Sequence, residues 1–411
     1  MPPIELHGRH YPLPDKAVVV ICIDGCDPEY IHNAVQRGIC PNITAMVTTG
    51  FASIADSVMP SFTNPNNASI VTGAPPKIHG IAGNYYLDRQ TGEEIMVNDA
   101  RMLEGETVLA LLSKAGVPTA MVTAKDKLTK LIGHGLEGPC FSSEKAAQTS
   151  LEQYGFSTVE AMVGRAQPDM YSSDLSLYAL DAGVQLLKQE KSQVLYLSLS
   201  DYVQHKYAPG EPESDAFLQA IDQRIGEFLE LGAVVACVAD HGMSYKTDFT
   251  GQPQLLFVQD VIEQEFGAGS ARVICPITDP FVRHHGALGS FVRVYLKNPE
   301  NIEAAAQFLR HQVGVFEVLT QTEAAQRLDL PVDREADLVV ISAQDWALGS
   351  KRSEHELSAV QDRPLRTHGG YSEQRVPFLI SAPLNEAGLE WVKTSRLHNY
   401  DVFFVLLNYA L

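Results

Sequence analysis

Apolar runs recur along the chain, and the strongest of them predict buried β-strands. Residues 17–23, 194–199 and 233–239 are apolar at nearly every position. Such runs are typical of strands that are covered on both faces of a parallel sheet. Between them, residues 174–188 and 214–231 show apolar positions at helical spacing. Strands that alternate with helices predict an α/β fold, with a mostly parallel sheet in a three-layer core.

The pattern changes near residue 252, where short strands and helices replace the regular alternation. The strands predicted in this region are residues 272–275, 290–296, 315–319 and 338–341. We therefore expect a smaller α+β cap over residues 252–365. The cap would be inserted between two parts of one core, residues 1–251 and 366–411.

Polar residues follow three of the predicted strands directly, and packing does not explain them. They are Asp24 after the first strand, Asp201 and His205 after the second, and Asp240 and His241 after the third. A further histidine, His368, comes near the end of the chain. Open α/β sheets bind ligands just beyond the carboxyl ends of their strands, so these side chains predict one shared site. Since the insertion begins after His241 and ends before His368, we expect the cap to lie over that site.

Carboxylates and imidazoles together indicate a metal site, because they are the ligands of zinc, manganese or iron. Six such ligands are too many for one catalytic zinc, which takes three and keeps a position open. Divided between two ions about 4 Å apart, they fit a two-metal site for displacement at phosphorus. Each motif alone is more often a surface or capping pair. Their co-occurrence after three separate strands favours the metal interpretation.

Thr63 is the candidate nucleophile. It precedes an apolar helical segment at residues 67–71 and is predicted to be the N-cap, with its hydroxyl accepting a backbone N–H bond. The same place favours anions, because free N–H groups and the helix dipole point there. A nearby metal would make an alkoxide available. Capping alone is the competing interpretation of an isolated threonine.

Composition and charge limit the partners and the location. The 411 residues carry 31 basic and 50 acidic side chains, for a net charge of −19, and 45% are hydrophobic. So acidic a surface is expected to repel nucleic acid and anionic membranes. The six cysteines lack CxxC spacing and the chain opens without a secretory pattern. We expect reduced thiols in a cytoplasmic protein.

The motifs together resemble the alkaline phosphatase superfamily, in its nucleotide pyrophosphatase-like branch. The resemblance implies an alkaline-phosphatase-like core and two Zn²⁺ ions. It implies that Asp201, His205 and His368 hold one ion. It implies that Asp24, Asp240 and His241 hold the other, with the Oγ of Thr63 as a further ligand and as the nucleophile.

Within this branch the chain resembles the phosphonoacetate hydrolases, through residues 63–67, 83–86 and 123–127. That resemblance implies zinc-dependent cleavage of the carbon–phosphorus bond of phosphonoacetate, through a phosphothreonine, to acetate and phosphate. It implies that Lys125 and Lys127 bind the carboxylate and stabilise the leaving group. Asn84 would donate a hydrogen bond to a phosphonate oxygen.

Lys125, Lys127 and Asn84 also have interpretations that involve no substrate. Lys125 and Lys127 follow a strand by two and four residues, so an extended backbone would point both side chains the same way. Without the resemblance they are a solvated strand-end pair, and Asn84 is as readily a turn residue. The remaining histidines without matching partners are expected to be structural. They are His79, His134, His284, His285 and His398.

Two other functions stay open. One is a binuclear-zinc phosphodiesterase or phosphomonoesterase of the same superfamily, in which Lys125 and Lys127 would matter little. The other is a non-catalytic metal-dependent binding protein, which would be indifferent to loss of the Thr63 hydroxyl. In the leading interpretation the partner is a small-molecule substrate, with no nucleic acid and no membrane. A homodimer is left open.

Overall fold

The structure is a computed structural model that describes residues 2–277, 286–358 and 363–411. His284 and His285 lie outside the described residues. His79 is buried and its Nε2 lies 2.8 Å from the Ser69 hydroxyl, as expected of a structural histidine.

The helices lie mostly where the apolar spacing predicts them. They are α1 Pro28–Arg37, α2 Pro41–Thr48, α3 Thr63–Thr72, α4 Pro76–His79, α5 Val108–Lys114, α6 Asp126–Ile132, α7 Val159–Val163, α8 Asp174–Lys188, α9 Pro212–Glu230, α10 Val258–Phe266, α11 Ile302–Arg310, α12 Gln321–Arg327, α13 Glu386–Thr394 and α14 Val402–Tyr409. The predicted helix at 67–71 begins four residues earlier, at Thr63.

The strands include every run that the sequence predicts. They are β1 Ile4–Leu6, β2 Arg9–Tyr11, β3 Val18–Cys22, β4 Phe51–Asp56, β5 Tyr85–Leu87, β6 Glu94–Met96, β7 Thr119–Thr123, β8 Cys140–Ser142, β9 Val194–Ser198, β10 Val234–Val238, β11 Ser244–Tyr245, β12 Leu255–Phe257, β13 Ala271–Ile274, β14 Phe291–Leu296, β15 Val315–Thr320, β16 Leu338–Ser342, β17 Ala347–Gly349, β18 Arg366–Thr367 and β19 Arg375–Ile380.

The main sheet has the order β4-β19-β10-β3-β9-β7-β8. Strands β10, β3, β9, β7 and β8 are parallel, and β19 runs antiparallel to β10 and to β4. Every residue of β3, β7, β9 and β10 is buried. Since successive side chains point to opposite faces, both faces of this sheet are covered. The predicted three-layer α/β core with a mostly parallel sheet is confirmed.

The register of the parallel strands brings their carboxyl ends level with one another. Val238 of β10 pairs with Cys22 of β3, Cys22 pairs with Ser198 of β9, and Ser198 pairs with Thr123 of β7. Four consecutive strands therefore end on one line. The residues that follow these ends are Asp240, Asp24, Asp201 and Lys125, in that spatial order.

A second, antiparallel sheet has the order β13-β14-β16-β15. Its buried side chains form a second apolar cluster with residues of α10, α11 and α12 and with Met59, Phe62 and Ala82. This is the α+β character predicted for the region after residue 252. The boundaries of the cap, at 252 and 365, stay a prediction.

All six cysteines are free thiols, as predicted, and only Cys140 among them is not fully buried. Within the described ranges, each helix is too short or too polar to cross a lipid bilayer. The cytoplasmic location and the homodimer stay predictions.

Candidate active site

Carboxylates and imidazoles meet at the level strand ends, among the described residues, in two overlapping groups. In the first, ligand atoms of Asp24, Asp240 and His241 lie within 4.8 Å of one another, and all three residues are buried. The Nε2 atom of His241 lies 3.2 Å from Oδ1 of Asp24 and 3.8 Å from Oδ2 of Asp240. This group matches one of the two predicted ligand sets.

The second group is Asp201, His241 and His368, so His241 belongs to both groups, and the predicted ligand His205 is in neither. The Oδ2 atom of Asp201 lies 4.0 Å from Nε2 of His368 and 2.9 Å from Nε2 of His205. His205 follows Asp201 through a tight turn in which its N–H donates to the Asp201 carbonyl at 3.0 Å. The rings of His241 and His368 stack, with centroids 3.5 Å apart, and so place the two groups side by side.

Backbone carbonyls fix the orientation of all three imidazoles. The Nδ1 atoms of His205, His241 and His368 lie 2.9, 2.8 and 2.8 Å from the carbonyl oxygens of Arg366, Gly242 and Ser61. A carbonyl only accepts, so each Nδ1 carries a proton and each Nε2 faces the carboxylates. Metal-ligating histidines are oriented by the same kind of contact.

The buried carboxylates and imidazoles of this cluster lie close together and therefore shift one another's pKa values. Burial and then the carboxylates of Asp201 and Asp240 raise the pKa of Asp24 well above its ordinary value. Burial lowers the pKa of His241, but the surrounding aspartates outweigh it and raise that pKa to about 10. Burial, His241 and His205 lower the pKa of His368 well below its ordinary value. Divalent ions would relieve this repulsion, and the donor set fits zinc, manganese or iron.

Thr63 faces this cluster from the start of α3. Its Oγ1 atom lies 3.4 Å from Nε2 of His241. The prediction that Thr63 is the N-cap is wrong, because Phe62 occupies the cap and Thr63 is the first helical residue. A proline is tolerated in the first turn, so Pro65 allows the helix to start before it. The hydroxyl is thus directed to the strand ends rather than to the helix backbone.

A cavity of about 500 Å³ opens in front of Thr63. The predicted residues that line it are Asp24, Thr63, Asn84, Lys125, Lys127, Asp201 and His368. Lys125 Nζ lies 3.5 Å from Oδ1 of Asp201. Asn84 accepts a hydrogen bond from the backbone N–H of Asn64 at 3.4 Å. The structure thus brings Asn84, Lys125 and Lys127 to the same cavity, and their roles in binding a substrate stay predictions.

The predicted extended backbone through Lys127 is wrong. Lys125 is the N-cap of α6, and the helix begins at Asp126. The signal was present in the sequence, because Leu128, Leu131 and Ile132 have helical spacing and an acid in the first turn favours a helix start. Both lysines reach the cavity from the first turn of a helix instead of from a strand.

Residues that position the ligands were not predicted individually. Asn67 donates to Oδ2 of Asp240 at 3.1 Å, and the buried side chain of Arg366 donates to the carbonyl of Gln204 at 2.9 Å. Their partners are distant in sequence, so no local pattern marks them. The sequence marks Asn67 only as part of residues 63–67, which carry the resemblance to the phosphonoacetate hydrolases.

The site has the composition of a known family of hydrolases. The family model for type I phosphodiesterase / nucleotide pyrophosphatase matches residues 18–371. The chain belongs to this family. The match extends from the first core strand to the loop of His368 and includes every predicted ligand.

Among solved structures, this member of the type I phosphodiesterase family is similar to phosphonoacetate hydrolase from Sinorhizobium meliloti, described in complexes with phosphonoformate and with phosphonoacetate. The two are 42% identical over 100% of both chains, with a TM-score of 0.94. Murine ectonucleotide pyrophosphatase / phosphodiesterase 5 is 15% identical over 96% of each chain, with a TM-score of 0.63, and shows the fold alone. The predicted resemblance to the phosphonoacetate hydrolases is confirmed.

Two curated relatives match over shorter stretches. An uncharacterized pyrophosphatase/phosphodiesterase of Schizosaccharomyces pombe is 25% identical over 57% of this chain and 46% of its own length. Phosphonoacetate hydrolase of Penicillium oxalicum is 57% identical over 8% of this chain and 51% of its own. The chain thus spans about half the length of these two relatives.

Neutralising Asp24 is expected to stabilise the metal-free protein. In Asp24→Asn a buried carboxylate beside Asp201 and Asp240 loses its charge, so like-charge repulsion falls. The thermal midpoint of chelator-treated protein should rise, and the further rise on adding zinc should shrink. Calorimetry with and without zinc measures both.

The control is Asp222→Asn. Asp222 is equally buried but accepts hydrogen bonds from the backbone of Ile43 at 2.7 Å and from the side chain of Asn42 at 3.1 Å. Loss of its charge should lower the midpoint. A fall in both variants would contradict the electrostatic account of the cluster.

Proposed function

We propose that the protein is a zinc-dependent hydrolase that cleaves the carbon–phosphorus bond of phosphonoacetate to acetate and phosphate. The observation that carries the proposal is the arrangement of Thr63. Its hydroxyl lies 3.4 Å from Nε2 of His241, the ring that stacks on His368, and Thr63 lines a cavity that two lysines also line. The similarity over the full chain to a phosphonoacetate hydrolase supports this substrate.

Two Zn²⁺ ions fit the donor set. Asp24, Asp240 and His241 would hold one, with Thr63, and Asp201, His205 and His368 would hold the other. When bound, the ions supply Lewis acidity toward the phosphonate oxygens and lower the pKa of a hydroxyl beside them. The three aspartates and the Nε2 lone pairs are directed inward for this purpose, and the backbone carbonyls hold the rings in place.

The reaction has two displacements at phosphorus. First, the Thr63 hydroxyl loses its proton to solvent, Oγ1 attacks the phosphonate, a bond from threonine oxygen to phosphorus forms, and the phosphorus–carbon bond breaks. The electron pair moves to the methylene carbon and its carboxylate as an enediolate, which takes a proton to become acetate. Water then attacks phosphorus, the threonine oxygen leaves and regains a proton, and phosphate is released.

Lys125 and Lys127 supply the specificity. The enediolate carries its charge on the carboxylate oxygens, so ammonium groups placed there stabilise the transition state more than the bound substrate. Both lysines lie at the end of β7, one strand away from Asp201, and line the cavity from the first turn of α6. Asn84, across the cavity, would donate its amide N–H to a phosphonate oxygen.

The cap of residues 252–365 would close the cavity from above. Ile277, within the predicted cap, lines the cavity, as does His368. An apolar wall of this kind would limit water around the bound phosphonate and strengthen the ionic contacts.

Removing the nucleophile is expected to abolish turnover. Thr63→Ala should lower kcat for phosphonoacetate by at least about 10³-fold, the scale of losing a nucleophile, while the protein keeps its zinc. Thr63→Ser should retain part of the activity, because it keeps the hydroxyl. Phosphorus NMR of the zinc-loaded proteins follows inorganic phosphate. Release of phosphate by Thr63→Ala at the wild-type rate would refute the nucleophile.

Removing either lysine is expected to lower activity toward phosphonoacetate much more than activity toward an aryl phosphate. Lys125→Met and Lys127→Met should each lower kcat/KM for phosphonoacetate by roughly 10–100-fold, the value of one charge-assisted hydrogen bond. Hydrolysis of an aryl phosphate, which has no carboxylate, should change only a few-fold. Parallel assays of both substrates measure the ratio.

Lys130→Met is the matched control, since Lys130 also lines the cavity but is mostly exposed and pairs with Asp126 at 2.8 Å. It should leave the ratio unchanged. The family match favours a phosphodiesterase or phosphomonoesterase as the second candidate. Faster turnover of aryl phosphate esters than of phosphonoacetate by the wild type, without dependence on Lys125 and Lys127, would establish that alternative.

A further inference from the structure

Asn67 joins the segment that carries Thr63 to a predicted metal ligand. It lies in the second turn of α3 and is fully buried. Its Nδ2 atom donates to the carbonyl of Thr63 at 3.0 Å and to Oδ2 of Asp240 at 3.1 Å. Its Oδ1 atom accepts from the hydroxyls of Tyr196 at 2.7 Å and Ser198 at 2.9 Å. Both donors and both acceptor positions of the amide are therefore used.

These contacts admit one orientation of the amide. A carbonyl and a carboxylate only accept, so the nitrogen of Asn67 must face Thr63 and Asp240. The two hydroxyls on β9 can donate, and they hold the oxygen. The side chain is thus fixed from one end by the central sheet and fixes the nucleophile and the carboxylate from the other.

The second oxygen of Asp240 is fixed independently. Its Oδ1 atom accepts from the backbone N–H groups of Gly25 at 3.2 Å and His241 at 3.1 Å. Backbone contacts therefore hold one oxygen, and Asn67 holds the other. Loss of the Asn67 donor would therefore leave only one oxygen of Asp240 held by these hydrogen bonds.

We propose that Asn67 is a positioning residue that sets the distance between the Thr63 hydroxyl and the metal bound at Asp24, Asp240 and His241. This inference rests on the proposed function. Its consequence should be selective, since the hydrogen bonds of the Asn67 amide go to Thr63, Asp240, Tyr196 and Ser198.

The test is Asn67→Asp, which keeps the shape of the side chain and replaces the donor with a carboxylate oxygen facing Asp240. Substitution behind a metal ligand costs about 10–100-fold in metal affinity or activity. We expect a loss of that size in zinc affinity at one of the two ions and in kcat, with KM for phosphonoacetate nearly unchanged. Competition with a chromophoric zinc chelator measures the two affinities, and phosphate release measures kcat and KM.

The neighbouring residue supplies a matched control. Asn66 is equally buried, but its amide bonds to the carbonyls of Val58 and Phe62 and to the side chain of Asn399 instead of to Asp240. Asn66→Asp should lower the thermal midpoint and leave both zinc affinities and kcat of the folded protein at wild-type values. If Asn67→Asp does not fold, Asn67→Ala removes the same donor without adding a charge.

Failure of the proposed function and failure of the positioning role of Asn67 would give different results. If the wild type binds no zinc or releases no phosphate from phosphonoacetate, the proposed function fails. If the wild type binds two ions and turns over, but the Asn67 variants lose only thermal stability, as Asn66→Asp does, the positioning role is overturned. Equal loss of affinity at both ions would also overturn it, because the proposed effect is confined to one.

Discussion

Three buried carboxylates at adjacent strand ends are the constraint on which the rest of the structure depends. Asp240, Asp24 and Asp201 follow three neighbouring strands whose last residues are in register. Two unit charges 4 Å apart repel by about 4 kcal/mol at an effective dielectric constant of 20. A protein holds such charges together only where a cation compensates them or where one is protonated. The fold thus concentrates negative charge at one edge of the sheet, which is the environment that a divalent cation would stabilise.

The surrounding structure keeps those charges at fixed positions. The buried strands are rigid because both faces of the sheet are packed, and each imidazole is oriented by a backbone carbonyl rather than by a mobile side chain. Thr63 is the first residue of α3, and its hydroxyl lies 3.4 Å from Nε2 of His241. The acidic surface, with a net charge of −19, opposes binding of an anion, so in the proposed function the metals and the lysines of the cavity would supply the attraction locally. Specificity for a carboxylate-bearing phosphonate would then follow from the distance between those two positive regions.

The sequence predicts much of this site because its signals are local. A continuous apolar run followed by Asp24, or by Asp240 and His241, marks a strand and its end within a few residues. Parallel pairing then brings those ends together without further information. The start of α3 at Thr63 and of α6 after Lys125 was predicted less well. In both places the cap position is held by contacts of the folded protein, and the polar residues that usually mark a helix start serve the cavity instead. Asn67 could not be assigned a role, because Asp240 and Tyr196 are more than a hundred residues away along the chain.

Anomalous diffraction at the zinc absorption edge, from crystals grown with zinc, would show whether these side chains bind two metal ions. The account predicts two peaks roughly 4 Å apart, one among Asp24, Asp240 and His241 and the other among Asp201, His205 and His368, with the Thr63 oxygen beside the first. A single peak, or peaks away from these side chains, would contradict it.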